Sequence, residues 1–167
     1  MEMENALSNI YHVVVILTFL SGVIKWKGSI FPAIFRLGQG LAKRKIVIFS
    51  EKGNNSLRTL LTDSGLFKEK NIIEITSDGD IGRAEGTSIA VFLVYWPTWK
   101  EDAKLDAILA KKLDNYSLIV YAPSEHGQLP HEQMQKVSKH RNSTVVNFRG
   151  RLLTDILASM MTTGYRG

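Results

Sequence analysis

The chain contains one long N-terminal apolar run and five shorter ones separated by amphipathic segments. The shorter runs have the length of buried β-strands and cover residues 45–50, 71–76, 88–96, 116–122 and 143–148. Between them, apolar side chains recur at helical spacing over residues 56–66, 100–113, 130–140 and 152–161. The segment DGDIGRAEG, between the second and third runs, has few apolar residues, so any helix there should be short.

Strands that alternate with helices predict right-handed crossovers and an α/β fold with a mainly parallel sheet. The simplest topology is a flavodoxin-like order of 2-1-3-4-5, in which the almost continuously apolar run 88–96 is a central strand. Ligands of such sheets bind outside the carboxyl ends of the strands, at the switch point between the first and third strands. The loops that begin at Ser50, Trp96, Ala122 and Arg149 should therefore surround one crevice.

The N-terminal run carries no formal charge from residue 10 to residue 24 and is followed by Lys25 and Trp26. A span of about 17 residues reaches the lower limit for crossing a bilayer, so we predict a transmembrane helix within residues 1–27. The acidic MEMEN start does not resemble a cleaved signal peptide. A wholly buried core helix or a hydrophobic dimerisation helix are the alternatives.

The flanking charges predict how this helix is oriented. All basic residues beside the run lie on its C-terminal side, which predicts a single-pass protein of the cell inner membrane with its N-terminus outside and its C-terminal domain cytoplasmic. Residues 28–44 then place Ile30, Ile34, Leu37 and Leu41 on one helical stripe among basic residues, typical of a helix in the headgroup layer. Three parts are predicted: residues 1–27, the interfacial linker 28–44 and the α/β domain 45–167.

Charge and composition narrow the classes of function. Residues 1–45 hold six Lys/Arg and two acids, whereas residues 46–167 hold fifteen basic and fourteen acidic side chains. The basic character therefore belongs to the predicted membrane segment, and we expect membrane lipid as a partner and no nucleic acid. The absence of cysteine excludes disulfides, thiolate nucleophiles and cysteine-ligated metal.

The loop after the first strand, SEKGNNSLR, offers Ser50, Asn54, Asn55 and Ser56 as ligand-binding residues. Gly53 permits close backbone approach, and the N–H groups of the following helix form an anion site. The loop matches neither the dinucleotide fingerprint nor the phosphate loop. Ordinary helix capping by Asn55 or Ser56 is the alternative.

The loop after the third strand, WPTWKED, offers a different chemistry. Trp96 and Trp99 could enclose a base or a nicotinamide ring, and Glu101 or Asp102 could meet a ribose hydroxyl or a developing oxocarbenium charge. Alternatively, Thr98 caps the next helix, with acids in its first turn that satisfy the helix dipole.

The last two loops provide further candidates. PSEHGQLPHE contributes Ser124 and Glu125, but the spacing of its histidines matches no metal motif, so no metal site is expected and a solvated loop is favoured. NFRGR places Asn147 and Arg149 at a strand end, where they suit an anionic ligand or a partner; Gly150 and Arg151 could also simply lead into the last helix.

With its five short strands and an aromatic and acidic loop after the third, the body resembles TIR-type and related flavodoxin-like domains. Joined to an N-terminal anchor, it resembles membrane effectors of bacterial antiphage systems. The TIR resemblance implies that Glu101, in the only comparable position, serves NAD cleavage, although WPTWK replaces the usual serine- and tyrosine-containing lead-in.

Three hypotheses follow from these patterns. The favoured one is a non-catalytic membrane-tethered sensor or effector that binds a nucleotide-like ligand or a partner, homo-oligomerises and acts at the membrane, without a cofactor. The second is an NAD-cleaving enzyme that uses Glu101. The third is an adaptor that recruits a cytoplasmic protein to the membrane.

Overall fold

The computed structural model describes residues 11–12, 14–19, 21–22, 38, 42–86 and 88–163. The chain divides into two units, Met1–Gln39 and Gly40–Gly167. In the first unit, the described residues between 11 and 22 are helical. Among the described residues, no helix is long and apolar enough to cross a membrane. Part of the predicted span 10–24, and residues 28–37 and 39–41 of the predicted interfacial helix, lie outside the described residues.

The described side chains of the N-terminal helical residues are mostly apolar and exposed. The exposed fractions lie between 46% and 71% for Tyr11, Val14, Val15, Ile16, Leu17 and Phe19. The two hydroxyls in this stretch bond within the helix: Thr18 Oγ1 donates to the Val14 carbonyl and Ser21 Oγ donates to the Thr18 carbonyl, both at 2.8 Å. These side chains therefore present an apolar surface in which the polar atoms are internally satisfied.

The second unit alternates strands and helices from its first strand to its end. The strands are β1 (Lys45–Phe49), β2 (Ile72–Ile75), β3 (Ile89–Tyr95), β4 (Ser117–Tyr121) and β5 (Ser143–Val146). The α-helices are α1 (Ser56–Asp63), α2 (Asp102–Lys111), α3 (His131–Ser138) and α4 (Arg149–Thr162). Short 3₁₀ turns cover Glu69–Asn71, Asp78–Ala84, Trp96–Thr98 and Ser124–His126. The segment between β2 and β3, where any helix was predicted to be short, thus forms the 3₁₀ turn Asp78–Ala84.

All five strands are parallel and form one sheet of order β2-β1-β3-β4-β5. This arrangement confirms the predicted α/β class, the 2-1-3-4-5 order and the central position of β3. Six of the seven residues of β3 are buried, which agrees with a strand covered on both faces.

Apolar layers cover both faces of the sheet. On one face, α1 and α4 bury Leu57, Leu61, Leu152 and Ile156 against the strands. On the other, α2, α3 and the 3₁₀ turn Asp78–Ala84 provide the covering side chains, among them Leu105, Ile108, Val137 and Ile81. The helices run antiparallel to the strands. All strand–helix loops therefore lie at the carboxyl ends of the strands, and all helix–strand loops lie at their amino ends. We call these two ends of the sheet the carboxyl edge and the amino edge.

Helix boundaries and caps differ in part from the prediction. The last helix begins at Arg149, three residues before the predicted start, because its first turn is polar and contains Gly150, which breaks the apolar periodicity. Thr98 does not cap α2: the N-cap position is Glu101, and Thr98 belongs to the preceding 3₁₀ turn. Asn55 is at the N-cap position of α1 but makes no side-chain cap hydrogen bond.

The chain enters the sheet at the amino edge. Asn71, which is 7% exposed, donates from Nδ2 to the Ala42 carbonyl at 2.7 Å. The Lys45 N–H donates to the Ser88 carbonyl at 2.8 Å. The segment before β1 is therefore held beside the first residues of β2 and β3.

Candidate functional site

The loops after β1 and β3, at the switch point of the sheet, are joined by a side chain. The Glu51 N–H donates to Thr98 Oγ1 at 3.2 Å, and the same hydroxyl donates to the Tyr95 carbonyl at 3.3 Å. Ser50, 2% exposed, donates its N–H to the Ile75 carbonyl at 3.2 Å. The Thr98 hydroxyl therefore joins the loop after β1 to the loop after β3, and Ser50 beside it is buried.

The predicted residues at the start of α1 lie together. Asn54 Oδ1 accepts a hydrogen bond from Ser56 Oγ at 2.9 Å, whereas the Asn55 side chain is exposed. Gly53 has a φ of +92°, a conformation that favours glycine, so this residue type is required for the turn. After this turn the chain enters α1, and Asn55 and Ser56 at the start of the helix are exposed to solvent.

The two indoles of the third loop lie in the core. Trp96 is 3% exposed and Trp99 2%. The Trp99 ring packs against Phe49 with a centroid separation of 5.5 Å and an interplanar angle of 69°, an edge-to-face contact. The structure thus places both rings beneath the carboxyl edge, in contact with the sheet.

Glu101 is an exposed residue in an ion pair. Lys104 Nζ donates to its carboxylate at 3.0 Å and lies 5.5 Å from the centroid of the Trp99 ring. The hydrogen bond to Glu101 raises the pKa of Lys104, and the carboxylates of Asp78 and Glu51 act in the same direction, whereas partial desolvation lowers it. Loops after three different strands therefore place acidic groups around one lysine.

A second polar group lies at the carboxyl ends of β3 and β4, on the face covered by α1 and α4. The rings of Tyr95 and Tyr121 are 5.9 Å apart and inclined by 33°. Tyr121 is 5% exposed, and its burial raises the pKa of its phenol; the nearby Glu125 carboxylate and Tyr95 raise it further, whereas the Arg149 guanidinium lowers it. The sequence-predicted Glu125 and Arg149 are thus brought to the same phenol.

The remaining predicted residues are Ser124 and Asn147. Ser124 is exposed on the 3₁₀ turn that also carries Glu125. Asn147 lines a groove of about 220 Å³ beside β5, together with Arg151, Asp155 and residues of α4. Asn147 therefore lines this groove, whereas Arg149, two residues later, is not among its lining residues.

Sequence reasoning missed Tyr95 and Tyr121. Each is the last residue of its strand, and the order 2-1-3-4-5 makes those two strands neighbours. A phenol at that position in both strands is the signal that could have indicated a shared polar site. Of these groups the guanidinium can attract an anion, the phenols can donate hydrogen bonds, and the carboxylate can accept them.

Comparison with known protein families, curated proteins and solved structures finds no match. The structure therefore establishes a Rossmann-like α/β domain by topology alone. Within the described ranges, no group of three or more His, Asp or Glu side chains has an arrangement that could hold a metal ion.

Proposed function

We propose that this chain is a membrane-associated sensor or effector module whose α/β domain binds an anionic, nucleotide-like ligand at the carboxyl edge. Ligand binding promotes homo-oligomerisation, and the N-terminal segment transmits the change to the bilayer. A role in antiphage defence is consistent with this organisation.

The observation that carries the proposal is the pair of phenols Tyr95 and Tyr121, 5.9 Å apart at the ends of β3 and β4, with the charges of Arg149 and Glu125 close enough to act on Tyr121. The group lies at the carboxyl ends of the strands, the side of the sheet on which doubly wound folds bind ligands, one strand away from the switch point between β1 and β3. A guanidinium recognises phosphate through planar, charge-assisted hydrogen bonds. Two phenols next to it add neutral donors and an aromatic surface for a base or a sugar.

The membrane part of the proposal is supported by the N-terminal helical residues. Their exposed valine, isoleucine, leucine and phenylalanine side chains gain free energy when they leave water, and the Thr18 and Ser21 hydroxyls need no solvent partner. A membrane is therefore the environment that best satisfies this segment.

Binding is supported better than NAD cleavage. The Glu101 carboxylate is in an ion pair with Lys104, and both candidate indoles pack in the core. If Glu101 nevertheless catalysed NAD cleavage, purified protein would release nicotinamide and Glu101→Gln would abolish the release. We expect no release from either protein.

The ligand proposal is tested with the full chain in detergent micelles. Binding of a panel of mono-, di- and cyclic nucleotides is measured by calorimetry, and mass is followed by light scattering. Arg149→Gln should weaken binding roughly 10- to 100-fold through loss of a charge-assisted contact. Arg151→Gln is the matched control, because Arg151 is also exposed but lies on the Asn147 groove.

Equal affinity of the Arg149→Gln and Arg151→Gln proteins would contradict a site at Tyr121. Absence of binding by every nucleotide, together with stable capture of one cytoplasmic protein by the carboxyl edge, would instead favour the adaptor function. Ligand binding with no change in mass would remove oligomerisation from the proposal and leave the site intact.

A further inference from the structure

The amino edge of the sheet is strongly basic. Nine lysines and arginines occupy its segments: Lys43, Arg44, Lys45, Lys68, Lys70, Lys111, Lys112, Lys139 and Arg141. Four acids occupy the same segments, and two of them are in ion pairs, Glu69 with Arg58 and Glu85 with Lys111. The side chains of Lys68, Lys70, Lys139 and Arg141 are exposed.

The opposite edge is different in charge. Its strand–helix segments hold the acids Glu51, Asp78, Asp80, Glu101 and Glu125 beside Lys52, Arg83 and Lys100, and three of these acids surround Lys104. The helix dipole favours basic residues only near the last turn of a helix. Because Lys68, Lys70 and Arg141 lie outside the α-helices, the dipole does not account for the difference in charge between the two edges. The domain is therefore nearly neutral as a whole but polarised from edge to edge.

The amino edge also exposes large apolar side chains. Leu66, which follows α1, is 54% exposed, and Leu113, which follows α2, is 55% exposed. Met161, in the last turn of α4, is 57% exposed and reaches the same edge. Lysines flank both leucines in sequence, Lys68 beside Leu66 and Lys111 and Lys112 beside Leu113.

Exposed leucines among lysines are the combination by which peripheral surfaces bind anionic bilayers. Lysine attracts acidic headgroups, and apolar side chains enter the boundary between headgroups and acyl chains. Ala42, which precedes β1, is held at the same edge by its hydrogen bond to Asn71.

We propose that the amino edge of the α/β domain is a docking surface for an anionic lipid bilayer, with Leu66 and Leu113 at the headgroup boundary. This inference rests on the proposed membrane association of the chain. It assigns a bilayer-facing side to the domain and leaves the carboxyl edge accessible from the aqueous side. A nucleic acid could also be attracted by the lysines, but exposed leucines have no role in contacts with phosphates.

The absence of cysteine from the chain makes a direct test straightforward. Full-length proteins carrying Leu66→Cys, Leu113→Cys or Phe148→Cys are labelled with an environment-sensitive dye and reconstituted with vesicles. Phe148 is the matched control, because it is 65% exposed and lies at the carboxyl edge. The vesicles are phosphatidylcholine alone or phosphatidylcholine partly replaced by phosphatidylglycerol.

We expect the dyes at positions 66 and 113 to report an apolar environment on phosphatidylglycerol vesicles, and the dye at 148 to remain in water. High salt should reverse the shift, since it screens exposed charges. Lys68→Gln combined with Lys70→Gln should weaken the docking on the order of tenfold or more. Lys52→Gln combined with Lys100→Gln removes the same charge from the carboxyl edge and should leave it unchanged.

Each outcome distinguishes this inference from the proposed function. If the chain floats with vesicles but the three dyes respond alike, the docking surface is wrong and membrane association stands. If the chain does not float, membrane association fails as well. If RNA, and not phosphatidylglycerol, shields positions 66 and 113, the basic edge is a nucleic-acid surface and the inference is overturned.

Discussion

The Glu51 N–H donates a hydrogen bond to Thr98 Oγ1 at 3.2 Å, which joins the loops after β1 and β3 across the switch point. Because the same hydroxyl donates to the Tyr95 carbonyl, one side chain bonds to both loops. In many doubly wound sheets this position is an open crevice for a ligand. Here the polar groups that we propose as the ligand site lie one strand further along, at the ends of β3 and β4.

Replacing Thr98 by valine should loosen this junction. The substitution preserves shape but removes the acceptor for Glu51 and the donor to Tyr95, so we expect a loss of about 0.5–1.5 kcal/mol in the free energy of unfolding. Urea denaturation measures the change. Thr59→Val, on the exposed side of α1, is the control and should stay within about 0.5 kcal/mol of the parent. Equal effects of the two substitutions would show that the junction contributes nothing.

Trp99→Ala should destabilise the domain severely. The ring is almost fully buried against Phe49, so truncation leaves a cavity and should cost about 3–5 kcal/mol. Phe148→Ala, at an exposed aromatic residue, should change stability by no more than about 0.5 kcal/mol. Thermal and urea unfolding provide the comparison. A stable Trp99→Ala protein would mean that the indole serves a ligand and not the core.

The ionisation of Tyr121 should report the proximity of Arg149. Burial raises the phenol pKa above its ordinary value of 10.0, and the guanidinium partly offsets the shift. Arg149→Gln should therefore raise this pKa further, whereas Arg151→Gln should not. Spectrophotometric titration, with Tyr121→Phe to identify the signal, measures it. If Arg149→Gln left the pKa of Tyr121 unchanged, the two side chains would not be close enough to interact.

The same shift predicts a dependence of stability on pH. Between 10.0 and the higher pKa of the folded state, the unfolded chain has lost the phenol proton and the folded chain has kept it. The folded state then binds more protons, so stability falls as pH rises through this window. This contribution is fully present below pH 10.0 and should disappear in Tyr121→Phe.

The bond between Asn71 and Ala42 should protect the segment that precedes β1. Asn71→Ala removes the buried donor to the Ala42 carbonyl, so limited trypsin digestion should cut sooner after Lys43. Asn55→Ala, at an exposed amide, is the control. Identical digestion of both variants and the parent would show that another contact holds this segment.

The strands and their order were predictable because aliphatic runs of strand length alternate with helical patterns, and right-handed crossovers leave few topologies. The start of α4 was not predictable, since Arg149, Gly150 and Arg151 are not apolar and do not continue the helical pattern of apolar residues. The role of Thr98 depends on Glu51, 47 residues away, so a local capping motif was the misleading signal. The depth of the indoles depends on packing against Phe49, which sequence spacing does not encode.

Alkaline carbonate extraction of membranes that contain the full chain tests the proposed membrane association most directly. We predict that the chain stays in the pellet, and that Ile16→Lys combined with Leu17→Lys moves it to the supernatant, because charged side chains in an apolar span are costly to insert. Extraction of the unaltered chain by carbonate would contradict an integral membrane segment, and with it the proposed function.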